Sequence, residues 1–227
     1  MKTKIISKKN SRAGFISITK DGPYEVSNLP LDESIMVVLD DGSPVDWKKG
    51  KKIKTEKNYA LCRCGHTVNK PFCTGVHKKI GFDGTETASK EKFLKNTEKT
   101  NGPKLILLDK KSLCNHSGFC TVKEGVWEGV IKANDKSSKE KVTKQICDCP
   151  TGRLVVIDKL TKKEIESKFK KSISLVVEPE GEGPLWVKGK VKIKSIDGES
   201  YEKRNRVCLC RCGKSQNKPY CDGSHLE

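Results

Sequence analysis

The chain has little of what builds a large apolar core. Hydrophobic residues make up 34% of its 227 positions, aromatic residues 6%, and there are only two methionines. Its longest apolar runs, such as Leu105–Leu108 and Leu154–Ile157, are strand-sized, far short of the ~20 residues that cross a bilayer. No membrane contact is expected. Met1–Lys20 has lysines but no apolar stretch ahead of a small-residue cleavage site, so no secretory leader is expected and the chain is assigned to the cytoplasm. Arginine is scarce, occurring only at Arg12, Arg63, Arg153, Arg204, Arg206 and Arg211. The other bases are lysines interleaved with acids, as in Lys139-Glu140-Lys141. Base reading in nucleic acids leans on arginine forks. The formal charge of +17 therefore reads as a solvated surface that favours acidic partner proteins, and argues against a nucleic-acid partner. No Ser-His-Asp set, phosphate loop or nucleotide fingerprint is present, and the chain is not read as an enzyme.

What the chain has instead is cysteine, eleven in all. A chain with small cores commonly needs a covalent or metal staple. In a reducing compartment clustered thiols favour metal over disulfides, and an odd count suits full pairing badly.

Nine of the cysteines fall in three clusters, and two of the clusters are copies. Residues 62–77 read CRCGHTVNKPFCTGVH and residues 210–225 read CRCGKSQNKPYCDGSH. Ten of the sixteen positions are identical and every cysteine and histidine gap agrees. Upstream, Gly22-Pro23-Tyr24-Glu25-Val26 echoes Gly183-Pro184-Leu185-Trp186-Val187. Short alternating or β-branched runs predict strands at Tyr24–Val26, Ile35–Leu39, Leu185–Val187 and Lys190–Ile196. After each third cysteine a short helix is expected, capped by Thr74 in one copy and Asp222 in the other.

Each copy offers a four-ligand soft site: Cys62, Cys64, Cys73 and His77 in the first, Cys210, Cys212, Cys221 and His225 in the second. Zinc and iron–sulfur both accept such ligands. Structural zinc sites usually begin with two cysteines two to four residues apart, whereas here the gap is one. A one-residue gap can place two thiolates on one iron of a two-iron cluster, leaving the later Cys and His for the other iron. A structural zinc module mediating protein or nucleic-acid contacts is the alternative.

The spacing Cys-x-Cys-x2-(Ser/Thr)-x3-Pro-x-Cys-Asp-Gly-Ser-His resembles the signature of the CDGSH iron–sulfur domain, the mitoNEET-like family. The second copy matches at Cys210, Cys212, Ser215, Pro219, Cys221, Asp222, Gly223, Ser224 and His225. The first matches at Cys62, Cys64, Thr67, Pro71, Cys73, Gly75 and His77, with Thr74 and Val76 departing. The resemblance implies a [2Fe–2S] cluster in each copy, with the Cys-x-Cys pair on an inner iron and the Cys–His pair on an outer, more exposed one. Single-motif members of the family pair as homodimers. A tandem chain is then expected to be a monomer with internal pseudo-two-fold symmetry. Asp222 and Ser224 are expected to support His225, where Thr74 and Val76 offer His77 less, so the first cluster is expected to be the more labile. Cys208 is read as an ordinary buried thiol, His66 as a surface neighbour, and Trp47, Trp127 and Trp186 as core.

Between the copies, Cys114-x5-Cys120 followed by Cys149-Pro150 resembles a divergent mono-cluster ferredoxin. Ser117 stands where four-iron ferredoxins have a further cysteine. Three cysteines suit a [3Fe–4S] cluster; a [4Fe–4S] cluster needs a fourth ligand, His116 or Cys147. The other reading is a degenerate fold with no cluster. Strands are expected at Lys104–Leu108 and Leu154–Asp158, a helix at Ser138–Cys147 and a short polar helix at Lys162–Lys170.

The expected architecture is α+β: two small β-rich units, 1–99 and 179–227, forming an internal pseudo-dimer around an inserted ferredoxin-like domain, 100–178. The expected function is electron transfer, with cluster transfer or redox sensing as variants. The expected partners are a redox protein or an apo-acceptor protein.

Overall fold

The computed structural model describes residues 14–227; most of the segment read as lacking a leader lies outside them. The first unit contains β1 (Phe15–Ile18), β2 (Tyr24–Ser27), β3 (Leu31–Val38), β4 (Pro44–Ile53), β5 (Asn58–Leu61) and a single helical turn, α1 (Val76–Lys79). The middle region contains β6 (Glu98–Asn101), β7 (Leu105–Asp109), α2 (Gly125–Lys132), α3 (Lys136–Asp148), β8 (Leu154–Asp158) and β9 (Glu164–Ile165). The second unit contains β10 (Ser172–Glu178), β11 (Gly181–Lys188), β12 (Lys192–Lys194) and β13 (Arg206–Leu209). The protein is mixed α+β.

The two units exchange strands. One sheet has the order β12-β1-β2-β5 and the other β13-β11-β10-β3-β4. The sequence echo makes β2 equivalent to β11 and β5 to β13. Both pairs are antiparallel, as are the preceding hairpins β1–β2 and β10–β11. The next strand of each unit then crosses over. β3 lies parallel to β10, with Ile173 opposite Leu31, and β12 lies parallel to β1, with Phe15 opposite Lys192. The inward residues of both sheets form one core, in which Ile16, Tyr24, Val26, Leu31 and Leu61 pack with Ile173, Leu185, Val187, Ile193 and Leu209. Neither copy has a core of its own, which reconciles the low apolar content with a stable fold.

The copies also meet at the first loop of each cysteine motif. A Cβ on Gly65 would collide with the Cys212 backbone, and one on Gly213 would lie 2.8 Å from the Cys64 carbonyl oxygen. Both glycines have positive φ, 81° and 83°, which L side chains adopt only at a cost. The shared sequence Cys-x-Cys-Gly is thus a contact between copies.

In the middle region the sheet order is β6-β7-β8-β9, antiparallel throughout, with α2 and α3 inserted between β7 and β8. Leu105, Leu107, Leu154 and Val156 on one face meet Val126, Val130, Val142 and Ile146 of the helices. α3 covers the expected Ser138–Cys147 span and begins on a capping box, in which Asp135 accepts from the Ser138 N–H at 2.9 Å.

Several expectations need correction. Lys162–Lys170 is not helical. Asp158 accepts from the Thr161 N–H at 2.7 Å, Lys162 has positive φ, and the chain turns back into β9. The segment has no apolar stripe to hold a helix against the domain. In the first copy the helical turn is preceded by Gly75 in a left-handed conformation, and Thr74 instead contacts the Thr67 hydroxyl at 3.1 Å. The second copy has no helix there. Asp222 accepts from Gln216 N–H and Ser224 N–H, an Asx-type turn. The boundary at 99/100 falls inside β6, and 172–178 belongs to the second unit's sheet rather than to the middle region.

Gly65→Ala and Gly213→Ala should each destabilise the chain by about 2–4 kcal/mol, combining left-handed backbone cost with overpacking. Gly42 also has positive φ but faces open space, so Gly42→Ala should cost only about 1–2 kcal/mol. Urea unfolding of the three variants checks this; equal losses would remove the contact between copies as the cause.

Candidate metal centres

Each motif folds as a loop that leaves a strand and returns to it. Cys62 N–H donates to the Pro71 carbonyl at 2.8 Å and Cys73 N–H to that of Ala60 at 2.9 Å. Cys210 donates to Pro219 and Cys221 to Cys208, both at 2.9 Å. The hydroxyl at the fixed Ser/Thr position ties the loop from within. Thr67 Oγ1 donates to Phe72 O at 2.6 Å and accepts from Asn69 N–H; Ser215 Oγ does the same with Tyr220 O at 2.7 Å and Asn217 N–H.

The four candidate ligands of each motif arrive as two pairs. Cys62 and Cys64 sulfurs lie 3.7 Å apart, and Cys210 and Cys212 sulfurs 3.6 Å. Cys73 Sγ is 3.3 Å from His77 Nδ1, and Cys221 Sγ is 3.4 Å from His225 Nδ1. Two thiolates on one tetrahedral metal at ~2.3 Å stand about 3.8 Å apart, so each pair has the span of two ligands on one ion. Among the described residues no three Cys, His, Asp or Glu side chains converge on a single ion position. The arrangement is two half-sites in each motif, each with the span of one ion.

Burial opposes leaving these sulfurs as free thiolates. It pushes the Cys221 thiol up to about 12 and also raises Cys64. In the Cys210–Cys212 pair the hydrogen bond between the sulfurs raises Cys210, with burial adding to it, and lowers Cys212, so one proton is shared. A cationic centre would displace the protons that Cys64, Cys210 and Cys221 are pushed to retain.

The two centres differ in their surroundings. His225 Nε2 is 2.9 Å from Glu178 Oε2, with both side chains less than a tenth exposed. Asp222 and Ser224 are not His225's partners as expected. They bond each other and the loop backbone. His77 lines an open surface hollow with Asp21 and Phe82, and among the described residues no side chain bonds its Nε2. Cys73 is half-buried, whereas Cys221 is buried. His66 is exposed, with Nδ1 at 2.7 Å from Cys64 O. Cys208 is buried beside Trp186, Val176 and Cys221.

Cys114, Cys120 and Cys149 line one cavity of about 280 Å³ with Trp127, Thr151 and Arg153. Arg153 forms a fork on Asp109 at 2.6 and 2.8 Å and donates to Cys114 Sγ at 3.0 Å. Burial pushes the Cys120 thiol up to about 11. Three sulfurs and a fixed cation around one cavity suit an anionic cluster. His116 and Ser117 also line this cavity. Cys147 does not: it is turned away toward Ile165 O, 3.7 Å distant, and is removed as a fourth-ligand candidate.

Three further residues, silent in the sequence, hold the centres in place. Tyr24 Oη donates across the copies to Cys210 O at 2.8 Å. Fully buried Arg206 donates to the carbonyls of Ile146, Cys147, Cys149 and Leu154 and pairs with Glu166 at 2.9 Å, joining β13 to the Cys149 loop. Trp47 stacks on Phe119, next to Cys120, and meets Trp186 at 4.8 Å.

Two cysteine–histidine loops and a three-cysteine cavity define an iron–sulfur protein. The family model described as an iron-binding zinc finger of CDGSH type matches residues 21–78 and 182–226, and that of a divergent 4Fe-4S mono-cluster domain matches 100–159. The chain is a tandem CDGSH-type protein with a divergent mono-cluster domain between its two copies. No curated protein and no solved structure matches it.

Ser215→Ala leaves a buried carbonyl and an N–H without their hydroxyl partner and should cost about 1–3 kcal/mol. Chemical denaturation measures the loss, and an unchanged midpoint would show that the hydroxyl does not secure the loop.

Proposed function

We propose that this protein is an electron carrier with two [2Fe–2S] centres, held by Cys62, Cys64, Cys73 and His77 and by Cys210, Cys212, Cys221 and His225. The observation that carries this reading is the grouping of each ligand set into two half-sites. Bound clusters supply one-electron chemistry; the protein's part is to position ligands, exclude water and neutralise charge. The exchanged strands and the reciprocal Gly65–Cys212 and Gly213–Cys64 contacts support reading the two units as an internal pseudo-dimer within a monomeric chain.

The middle domain is read as holding a third centre on Cys114, Cys120 and Cys149. It is a [3Fe–4S] cluster, or a [4Fe–4S] cluster if His116 supplies the fourth ligand. Contacts link the three sites in sequence. Cys64 and Cys212 meet across the copies, and a Cβ on Gly223, between Cys221 and His225, would lie 2.9 Å from the His116 ring and 3.1 Å from Asn115 O. Such adjacency suits electron passage between centres. The lysine-rich surface suits an acidic redox partner or an apo-acceptor protein. No described helix is long and apolar enough to cross a membrane, and a cytoplasmic carrier rather than an enzyme is the proposal.

Anaerobically purified protein should be red-brown, with four irons and four sulfides from the two [2Fe–2S] centres and three or four further irons from the middle one. Replacing Cys73 and Cys221 together by Ser should abolish the [2Fe–2S] spectrum. A colourless protein with stoichiometric zinc would overturn the reading.

Cys114→Ser should remove an electron paramagnetic resonance component distinct from the two [2Fe–2S] signals, while Cys147→Ser leaves it in place. Identical spectra for wild type and Cys114→Ser would reduce the middle domain to a fold without a cluster.

A further inference from the structure

The β1–β2 hairpin ends at the pair Ile18–Tyr24, but its equivalent runs on past Leu175–Leu185 to Glu178–Gly181. Glu178 therefore sits on an extension that the first copy lacks. The extension is shaped to deliver its carboxylate. A Cβ on Gly183 would lie 2.6 Å from Glu178 Oε1, so a side chain there would displace the carboxylate from this position. The Gly183 carbonyl accepts from Arg211 Nε at 2.6 Å, which fixes the hairpin to the residue between Cys210 and Cys212. The carboxylate then meets His225 Nε2 inside the protein.

We propose that Glu178 is a positioning residue that makes the second centre electronically distinct from the first. This rests on the [2Fe–2S] reading above. A carboxylate only accepts, so the proton of the neutral imidazole lies on Nε2, and the lone pair of Nδ1 points toward Cys221 Sγ, where the metal would sit. The hydrogen bond also locks the ring plane and increases the donor strength of Nδ1. The fixed negative charge favours the oxidised centre over the reduced one, whose charge is more negative. His77 has the same ligand geometry on its Nδ1 side, and among the described residues no carboxylate bonds its Nε2. The second centre should therefore hold iron more firmly and have the lower reduction potential.

The test separates the two centres in the full chain, purified anaerobically. A Cys73→Ser background keeps only the second [2Fe–2S] centre, and a Cys221→Ser background keeps only the first. In the Cys73→Ser background, Glu178→Ala should speed cluster loss to an iron chelator by about 10–100-fold, the usual cost of losing an outer partner of a metal-bound histidine. It should also raise the reduction potential in a titration followed by electron paramagnetic resonance. Glu178→Gln keeps an acceptor but not the charge. It should restore most of the cluster retention while the potential stays raised, a split that a merely structural role does not produce. In the Cys221→Ser background Glu178→Ala should change neither quantity, which also shows that the variant folds. An unmoved potential in the Cys73→Ser background, or equal shifts in both, overturns the proposal. A Cys73→Ser parent with no [2Fe–2S] signal at all would overturn the underlying reading, and the proposal with it.

Discussion

The structure depends on the close approach of the two cysteine loops across the boundary between copies. Gly65 against Cys212 and Gly213 against Cys64 bring the metal-binding turns together at backbone distance. That approach is possible only because β3 and β12 each leave their own unit and pair with the other. The exchange interleaves the apolar faces of two units that are each too small to form a core. A chain with 34% hydrophobic residues thus gains one shared core rather than two inadequate ones. The second cysteine loop is also held by the first unit, because Tyr24 donates to the Cys210 carbonyl.

Burial of the sulfurs is the second constraint. A buried thiolate without a counter-charge is strongly disfavoured, and the upward push on Cys221, Cys120 and Cys64 expresses that. Cationic metal removes the conflict by replacing several protons at once. The middle cavity has a protein cation as well. Arg153 contacts Cys114 Sγ while Asp109 holds the planar guanidinium in place. No arginine fork of that kind reaches the sulfurs of either flanking motif among the described residues, which is consistent with sites whose charge is balanced differently.

The pairing of the candidate ligands was legible in the sequence because it is local. Cys-x-Cys and Cys-x3-His place both members of a half-site within four residues, and the repeat has the same spacing twice. The strands around them were legible through alternation, as at Tyr24–Ser27, where Glu25 is outward between buried neighbours. What was hidden is long-range. Glu178 is 47 positions from His225, and Arg206 is 57 from the Cys149 carbonyl it holds; neither pairing has a periodicity or a spacing. Asp222 and Ser224 adjoin His225, yet short side chains next to a turn are consumed by the turn itself. Lys162–Lys170 misled for a related reason: charged residues tolerate a helix but do not enforce one, and the Asp158 turn decides the path.

The position of the inserted domain explains why two copies of one motif end in different environments. It leaves the chain after α1 of the first unit and returns at β10, the first strand of the second. Its contacts follow from that return. Arg206 ties its Cys149 loop to β13, Asn115 and His116 pack against Gly223, and Trp47 bridges Phe119 and Trp186. The contacts to the sequence around a cysteine motif therefore fall on the second copy, and His77 of the first remains beside an open hollow. An exchanged-strand pair of identical units is constrained to be symmetric; a tandem chain is not, because each copy can change its own hairpin. The longer β10–β11 hairpin, with Glu178 at its end, is such a change. Fusing the copies into one chain is what permits Glu178 to reach His225 with no counterpart at His77 among the described residues.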